Sequence, residues 1–208
     1  MHKKYTWRTA EKTIYPIKKA PSIATLPTQT FITISGSGNP NSDAFGRKIA
    51  ALYAVSYAIR MAQKKGIHFP GAFEYTVYPL EGFWTLPENY HSNELNKNQL
   101  VYQIMIKQPN FVTPAVFDQA LNLAKPKINS ELFSQLSLET KQEKTVGMIL
   151  HVGSFDDEPA SFAKLAQFLD EQGYKRTSKA HKEIYLSDFR KVIEDKRKTI
   201  LRVSITKK

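Results

Sequence analysis

The chain has 208 residues, 41% hydrophobic and 12% aromatic, and carries a formal net charge of +11. That apolar content suffices to bury a core and excludes a largely disordered chain. There is no cysteine, which excludes disulfide frameworks, thiolate nucleophiles and cysteine-held zinc or iron–sulfur sites.

The excess positive charge lies at the two ends. Residues 1–20 hold six Lys/Arg against one acid, residues 169–208 hold twelve against six, and residues 21–168 balance at twelve each. Basic ends are most simply solvated surface, with attraction to phosphates or acidic partners as the competing reading. Direct nucleic-acid binding is not expected, because no helix-turn-helix, finger or aromatic RNA-binding pattern accompanies the charge. No run of eighteen apolar residues occurs, and Met1–Ala20 is polar and basic without an apolar stretch behind it. Neither a membrane span nor a signal peptide is expected, and a cytoplasmic location follows.

In chain order, Thr30–Ser35 alternates β-branched and aromatic residues as a strand, and Gly36–Asn41 reads as a loop. Asp43 is placed to cap a long helix, in which Phe45, Ile49, Leu52, Tyr53, Ser56, Ile59 and Arg60 recur at helical spacing until Gly66. Phe73–Leu80 and Leu100–Lys107 are expected as strands, which makes the first half βαββ. Thr113–Ala124 and Asn129–Leu136 read as short helices. The second half repeats the order: a strand at Thr145–Val152, a helix opening at Pro159 and ending at Gly173, and strands at His181–Leu186 and Thr199–Thr206.

The expectation is one α+β domain over 1–208, a duplicated βαββ unit with pseudo-twofold symmetry. Residues 30–110 and 145–208 form the halves and 111–140 a helical connection. Antiparallel strands carry long helices on one side, and a ligand cleft lies near the axis. Registering the halves on Gly66 and Gly173 matches Tyr78 with Tyr185 and Thr76 with Glu183. A homodimer is compatible with such a unit.

Strand alternation puts Glu74, Thr76 and Tyr78 on one face of the first strand, and His181, Glu183 and Tyr185 on one face of the second. If the helices cover the apolar face, these polar faces point into the concave side of the sheet. A carboxylate beside tyrosines there is a cation receptor or a general base; the plain alternative is a cross-strand polar pair on a solvated face. Phe83 and Trp84 fall in what reads as a loop, either as a lid over the core or as a stacking wall for a planar ligand. Gly36-x-Gly38 lacks the third glycine and the lysine of a phosphate loop. Ser37, Ser154 and Ser187 lack a nucleophile elbow. The five histidines, His2, His68, His91, His151 and His181, show no close ligand spacing, so neither metal nor cofactor is expected.

Four segments in order carry a family resemblance: Tyr5–Tyr15, Gly38–Tyr53, Tyr78-Pro79-Leu80-Glu81-Gly82-Phe83-Trp84, and His181-Lys182-Glu183-Ile184-Tyr185-Leu186-Ser187-Asp188. Together they resemble the GyrI-like small-molecule-binding proteins, which are similar to the effector-binding domains of multidrug-sensing regulators; this chain looks like a stand-alone version. The resemblance implies that Glu183 faces a central cleft and that Tyr185, Tyr78 and Trp84 hold a flat apolar or cationic ligand. It further implies, by likeness to hydrolytic members, cleavage of the strained ring of cyclopropanoid DNA-alkylating genotoxins, with Glu183 as base and Tyr78 or Tyr185 as hydrogen-bond donor. Sequestration of such compounds without turnover, or interaction with gyrase or DNA, are the alternatives. Two departures stand out: Phe189 replaces the proline usual after the Ser-Asp pair, and Thr85 replaces a second tryptophan.

Overall fold

The computed structural model describes residues 4–88, 90–91 and 94–208, so His2 lies outside it. A short helix α1 (Trp7–Ala10) precedes strands β1 (Ser22–Thr25) and β2 (Gln29–Ser37), helix α2 (Asp43–Met61), and strands β3 (Leu80–Thr85) and β4 (Val101–Lys107). Helices α3 (Pro114–Ala124) and α4 (Ser130–Phe133) lead through β5 (Ser137–Lys141) to β6 (Thr145–Val152), α5 (Glu158–Glu171), β7 (Tyr174–Arg176), β8 (His181–Tyr185) and β9 (Lys198–Lys207). The strands form one antiparallel sheet in the order β1-β6-β9-β8-β3-β4-β2-β5, with β7 paired to β9. The order β2-β4-β3 on one side of the middle repeats as β6-β9-β8 on the other, so each half is βαββ. The pseudo-twofold passes between β3 and β8, the strands that join the halves.

Local chemistry sets the element ends. Ser42, not Asp43, caps α2, its hydroxyl accepting from the Phe45 amide at 3.3 Å. Phe45, Ile49, Leu52, Val55 and Ile59 then form one buried stripe. The strand expected at 73–80 begins instead at Leu80. Pro79 has no N–H to give, and β3 is paired on both sides, so pairing starts only after the proline. Residues 73–79 hold just a parallel bridge between Tyr75 and Tyr5. Phe83 and Trp84, expected in a loop, therefore lie on a central strand.

Register decides which side chains share a face. Through the pairs Trp84↔Tyr102, Leu80↔Tyr185, Gly82↔Glu183, Trp84↔His181 and Glu183↔Leu201, one face carries Tyr102, Trp84, Gly82, His181, Glu183, Tyr185 and Leu201. Both long helices cover this same face. α2 sets Phe45 edge-on to Tyr102 at 4.9 Å, and α5 packs Leu165 and Leu169 against Ile149 and Leu201. Gly147 lets Leu169 in, since a Cβ there would lie 2.9 Å from it. The expectation that polar faces turn away from the helices is thus corrected: the helices cover the outer strands of each half and leave β3 and β8 open between them.

On the opposite face the N-terminal segment covers part of the sheet, with Trp7, Ile14 and Tyr15 buried. A charged network lies beneath it. Lys182 Nζ meets Glu81 at 3.1 Å and Glu143 at 2.9 Å, Arg202 meets Glu143 at 2.6 Å and donates to the Ile14 carbonyl, and the Tyr15 hydroxyl donates to Glu81. Glu81, Lys182 and Arg202 are at most 3% exposed, so these charges survive burial only because each meets an opposite one.

Candidate functional site

Between α2 and α5, floored by β3 and β8, lies a cleft of about 1430 Å³. Its floor is Trp84, His181, Glu183 and Tyr185; its walls include Phe45 and Ile49 from α2, Leu86 and Tyr90 after β3, Phe155 and Glu158 at the start of α5, and Phe189 and Arg197 after β8. Phe155, Phe189, Leu86 and Tyr90 are half-buried, leaving ring and alkyl area for a flat ligand. Lys97 and Asp156, both lining the cleft, pair across its rim at 3.1 Å.

A hydrogen-bonded chain runs along the floor. Trp84 Nε1 donates to the Tyr185 hydroxyl at 3.0 Å, and that hydroxyl donates to Glu183 Oε2 at 2.8 Å. His181 Nε2 lies 3.0 Å from Glu183 Oε1. Because an ionised carboxylate only accepts, this contact assigns the imidazole proton to Nε2. The ring is steadied edge-on by Phe162 at 5.0 Å. Close approach at Gly82 makes the chain possible: a Cβ there would lie 2.6 Å from Trp84 Nε1 and 3.3 Å from the Tyr185 hydroxyl. Burial, then the Glu183 charge, pushes the Tyr185 phenol well above its ordinary range, so it stays a donor.

A second carboxyl joins this group. Glu158, the first residue of α5, is 7% exposed, and its Oε1 is buried with no hydrogen-bond partner among the described residues. Ligand atoms of Glu158, His181 and Glu183 lie within 4.8 Å of one another, a separation at which either a proton or a cation can neutralise the carboxyl pair. Burial, followed by the charges of Glu183 and Asp156, raises the Glu158 carboxyl to about 9, so a proton suffices at neutral pH.

The structure brings together Glu183, Tyr185, His181 and Trp84, but not the remaining expected residues. Tyr78 donates to Glu11, beside Tyr5 and Lys107, and with Thr76 it lines an adjoining groove of about 220 Å³ that shares Ile49, Tyr185, Phe189 and Arg190 with the cleft. Glu74 pairs with Arg60 at 2.7 Å. Phe83, 40% exposed, stands on the opposite face of the sheet. The glycine registration misleads because thirteen residues (67–79) separate Gly66 from β3, whereas seven (174–180) separate Gly173 from β8. Trp84 is 4% exposed, packed by Phe45 and Tyr102, and serves as floor rather than open wall. Glu158 and Phe155 escape sequence reading: in Asp-Asp-Glu-Pro an acid at a helix start reads as an ordinary dipole partner, and nothing marks the one that turns inward.

The model of the GyrI-like small-molecule-binding domain matches residues 19–205. The chain belongs to this family. Two crystal structures of hydrolases from Listeria innocua are 29% and 30% identical to this GyrI-like chain, with TM-scores of 0.87 and 0.89; each alignment covers 98% of this chain and 100% of the other. The EcmrR C-terminal domain, at 12% identity and TM-score 0.53, covered to 98% by 90% of this chain, shares the fold alone. No curated protein matches the chain. The GyrI-like assignment agrees with the α+β architecture and makes the chain a small-molecule-binding domain.

Proposed function

We propose that this GyrI-like protein hydrolyses a flat, apolar, electrophilic small molecule in the cleft, and that its substrates are cyclopropanoid alkylators. The observation carrying this reading is the Glu183 carboxylate, fixed by Tyr185 and His181 on the floor of an aromatic cleft. Likeness along the full chain to the two Listeria hydrolases supports the reaction class. The planar body lies against Phe155 and Phe189. Glu183 takes a proton from water as its oxygen bonds to the cyclopropane carbon, and the breaking C–C bond sends its electron pair through the conjugated system to the carbonyl oxygen. Ring strain supplies driving force, and a positioned general base contributes about a hundred- to ten-thousand-fold. Tyr185 orients the base, because its hydroxyl is committed to Glu183.

The test incubates the purified protein with a cyclopropanoid alkylator and follows the ring-opened hydrate by mass spectrometry. Turnover in the parent that falls at least about a hundredfold in Glu183→Gln is expected. Tight binding without product in the parent replaces hydrolysis with sequestration.

A further inference from the structure

We propose that Glu158 is a second catalytic residue of this site, carrying the proton that Glu183 lacks and delivering it to the oxygen on which negative charge develops. This rests on the hydrolytic reading above. Glu158 sits in the wall of the cleft, 7% exposed, with one oxygen unpartnered among the described residues, and a carboxyl oxygen of it lies within 4.8 Å of side-chain atoms of Glu183 and His181. A buried carboxylate without a cation is costly, whereas a buried carboxylic acid with a free O–H is a ready donor.

The groups acting on Glu158 favour the acid form. Its own segment contributes Asp156, and β8 contributes Glu183 together with His181, whose Nε2 is directed at Glu183, and Tyr185, whose phenol remains protonated. Of the basic groups lining the cleft, Lys97 pairs with Asp156 at the rim, Arg197 with Glu194 and Arg190 with Asp188, and Arg47 and Lys179 complete the set. Two carboxyls at this distance in an apolar cleft do not both ionise, and their environments divide the roles of acid and base.

The step balances with water alone. Glu183 gains a proton from the attacking water, a C–O bond forms, and the cyclopropane C–C bond breaks. The electron pair arrives at the carbonyl oxygen, which takes the Glu158 proton and becomes a hydroxyl. The net change is addition of one water. Proton transfer from Glu183 to Glu158 then restores the starting pair.

Two measurements on the full chain test this. Infrared difference spectra of parent and Glu158→Gln at neutral pH read the protonated carboxyl directly. kcat against pH with a cyclopropanoid alkylator is compared for parent, Glu158→Gln and Glu158→Asp. A protonated-carboxyl band that vanishes in Glu158→Gln supports the proposal, as does an alkaline loss of kcat near the carboxyl's value of about 9. In Glu158→Gln, kcat is expected to fall about a hundredfold without that alkaline limb, with partial recovery in Glu158→Asp. Parent-like kcat in Glu158→Gln overturns this inference while leaving hydrolysis by Glu183 standing. A parent that shows the band but no turnover overturns hydrolysis and, with it, the catalytic role of Glu158. Saturable binding of Zn²⁺ or Mn²⁺ at neutral pH, abolished in Glu158→Gln, also overturns it, because the pair is then neutralised by a cation.

Discussion

Glu183 owes its position to three neighbours: the Tyr185 hydroxyl, the His181 ring and a glycine on the facing strand. Tyr185→Phe removes the donor to one carboxylate oxygen and leaves Trp84 Nε1 without its acceptor. The expected result is about 1–3 kcal/mol of lost stability, read by urea unfolding, and a lower kcat with little change in ligand affinity. Gly82→Ala introduces a Cβ 2.6 Å from Trp84 Nε1, so about 1–3 kcal/mol of destabilisation is expected together with loss of turnover. Glu158 has a signature in stability as well as in rate. Its carboxyl ionises near 9 when folded but in the ordinary carboxylate range when unfolded. Between those values the unfolded chain has released a proton that the folded chain keeps, so stability present in acid is lost as pH rises towards 9. Unfolding free energies of the parent from urea titration should fall over this window by up to about 1.4 kcal/mol per pH unit from this group, and Glu158→Gln should remove that component of the slope. His181, Glu183 and Tyr185 are legible in the sequence because strand alternation fixes their shared face. The inward turn of Glu158 depends on how α5 enters the sheet and leaves no periodic trace.

At the scale of elements, long and strongly patterned segments were readable and short or interrupted ones were not. α2, β6 and β9 follow from their own periodicity. β1, β5 and β7 have four, five and three residues and gain their identity from the strands they pair with. The aromatic run before Pro79 has strand composition but packs as an irregular segment beside Tyr5, and the strand proper follows the proline. The charges on β3, β8 and β9 gave no hint that they meet: Glu81, Lys182 and Arg202 lie far apart in sequence, and Glu143 reaches them from the turn before β6. Glu143→Gln leaves Lys182 and Arg202 under-neutralised and is expected to cost about 3–5 kcal/mol in urea unfolding. Burial pushes the Glu143 carboxyl up, but Arg202 and Lys182 outweigh it and hold the group below the ordinary range. The stability it confers is present above that range and is lost as pH falls through its folded value, so acid titration should narrow the gap between parent and Glu143→Gln.

Across the whole molecule, the duplicated unit explains where the site lies. Each half covers its outer strands with its own helix, and the strands that join the halves are left between the helices, so the cleft forms at the pseudo-twofold and draws residues from both units. The twofold is broken chemically: Glu183 in the second half stands opposite Gly82 in the first, giving one carboxylate and room for the side chains beside it. The α+β class and the family were legible from ordered segments along most of the chain, whereas the aromatic walls had to be found in space because Phe155 and Phe189 lie in connections without periodicity. If Glu183 activates water in this cleft, single-turnover reaction of a cyclopropanoid alkylator in ¹⁸O-water places that water's oxygen in the product. A hydrate carrying one ¹⁸O, formed at least about a hundredfold more slowly by Glu183→Gln at unchanged ligand affinity, is the predicted result. Hydrate formed equally fast by both proteins, or ligand bound by the parent and recovered with its ring intact, would contradict it.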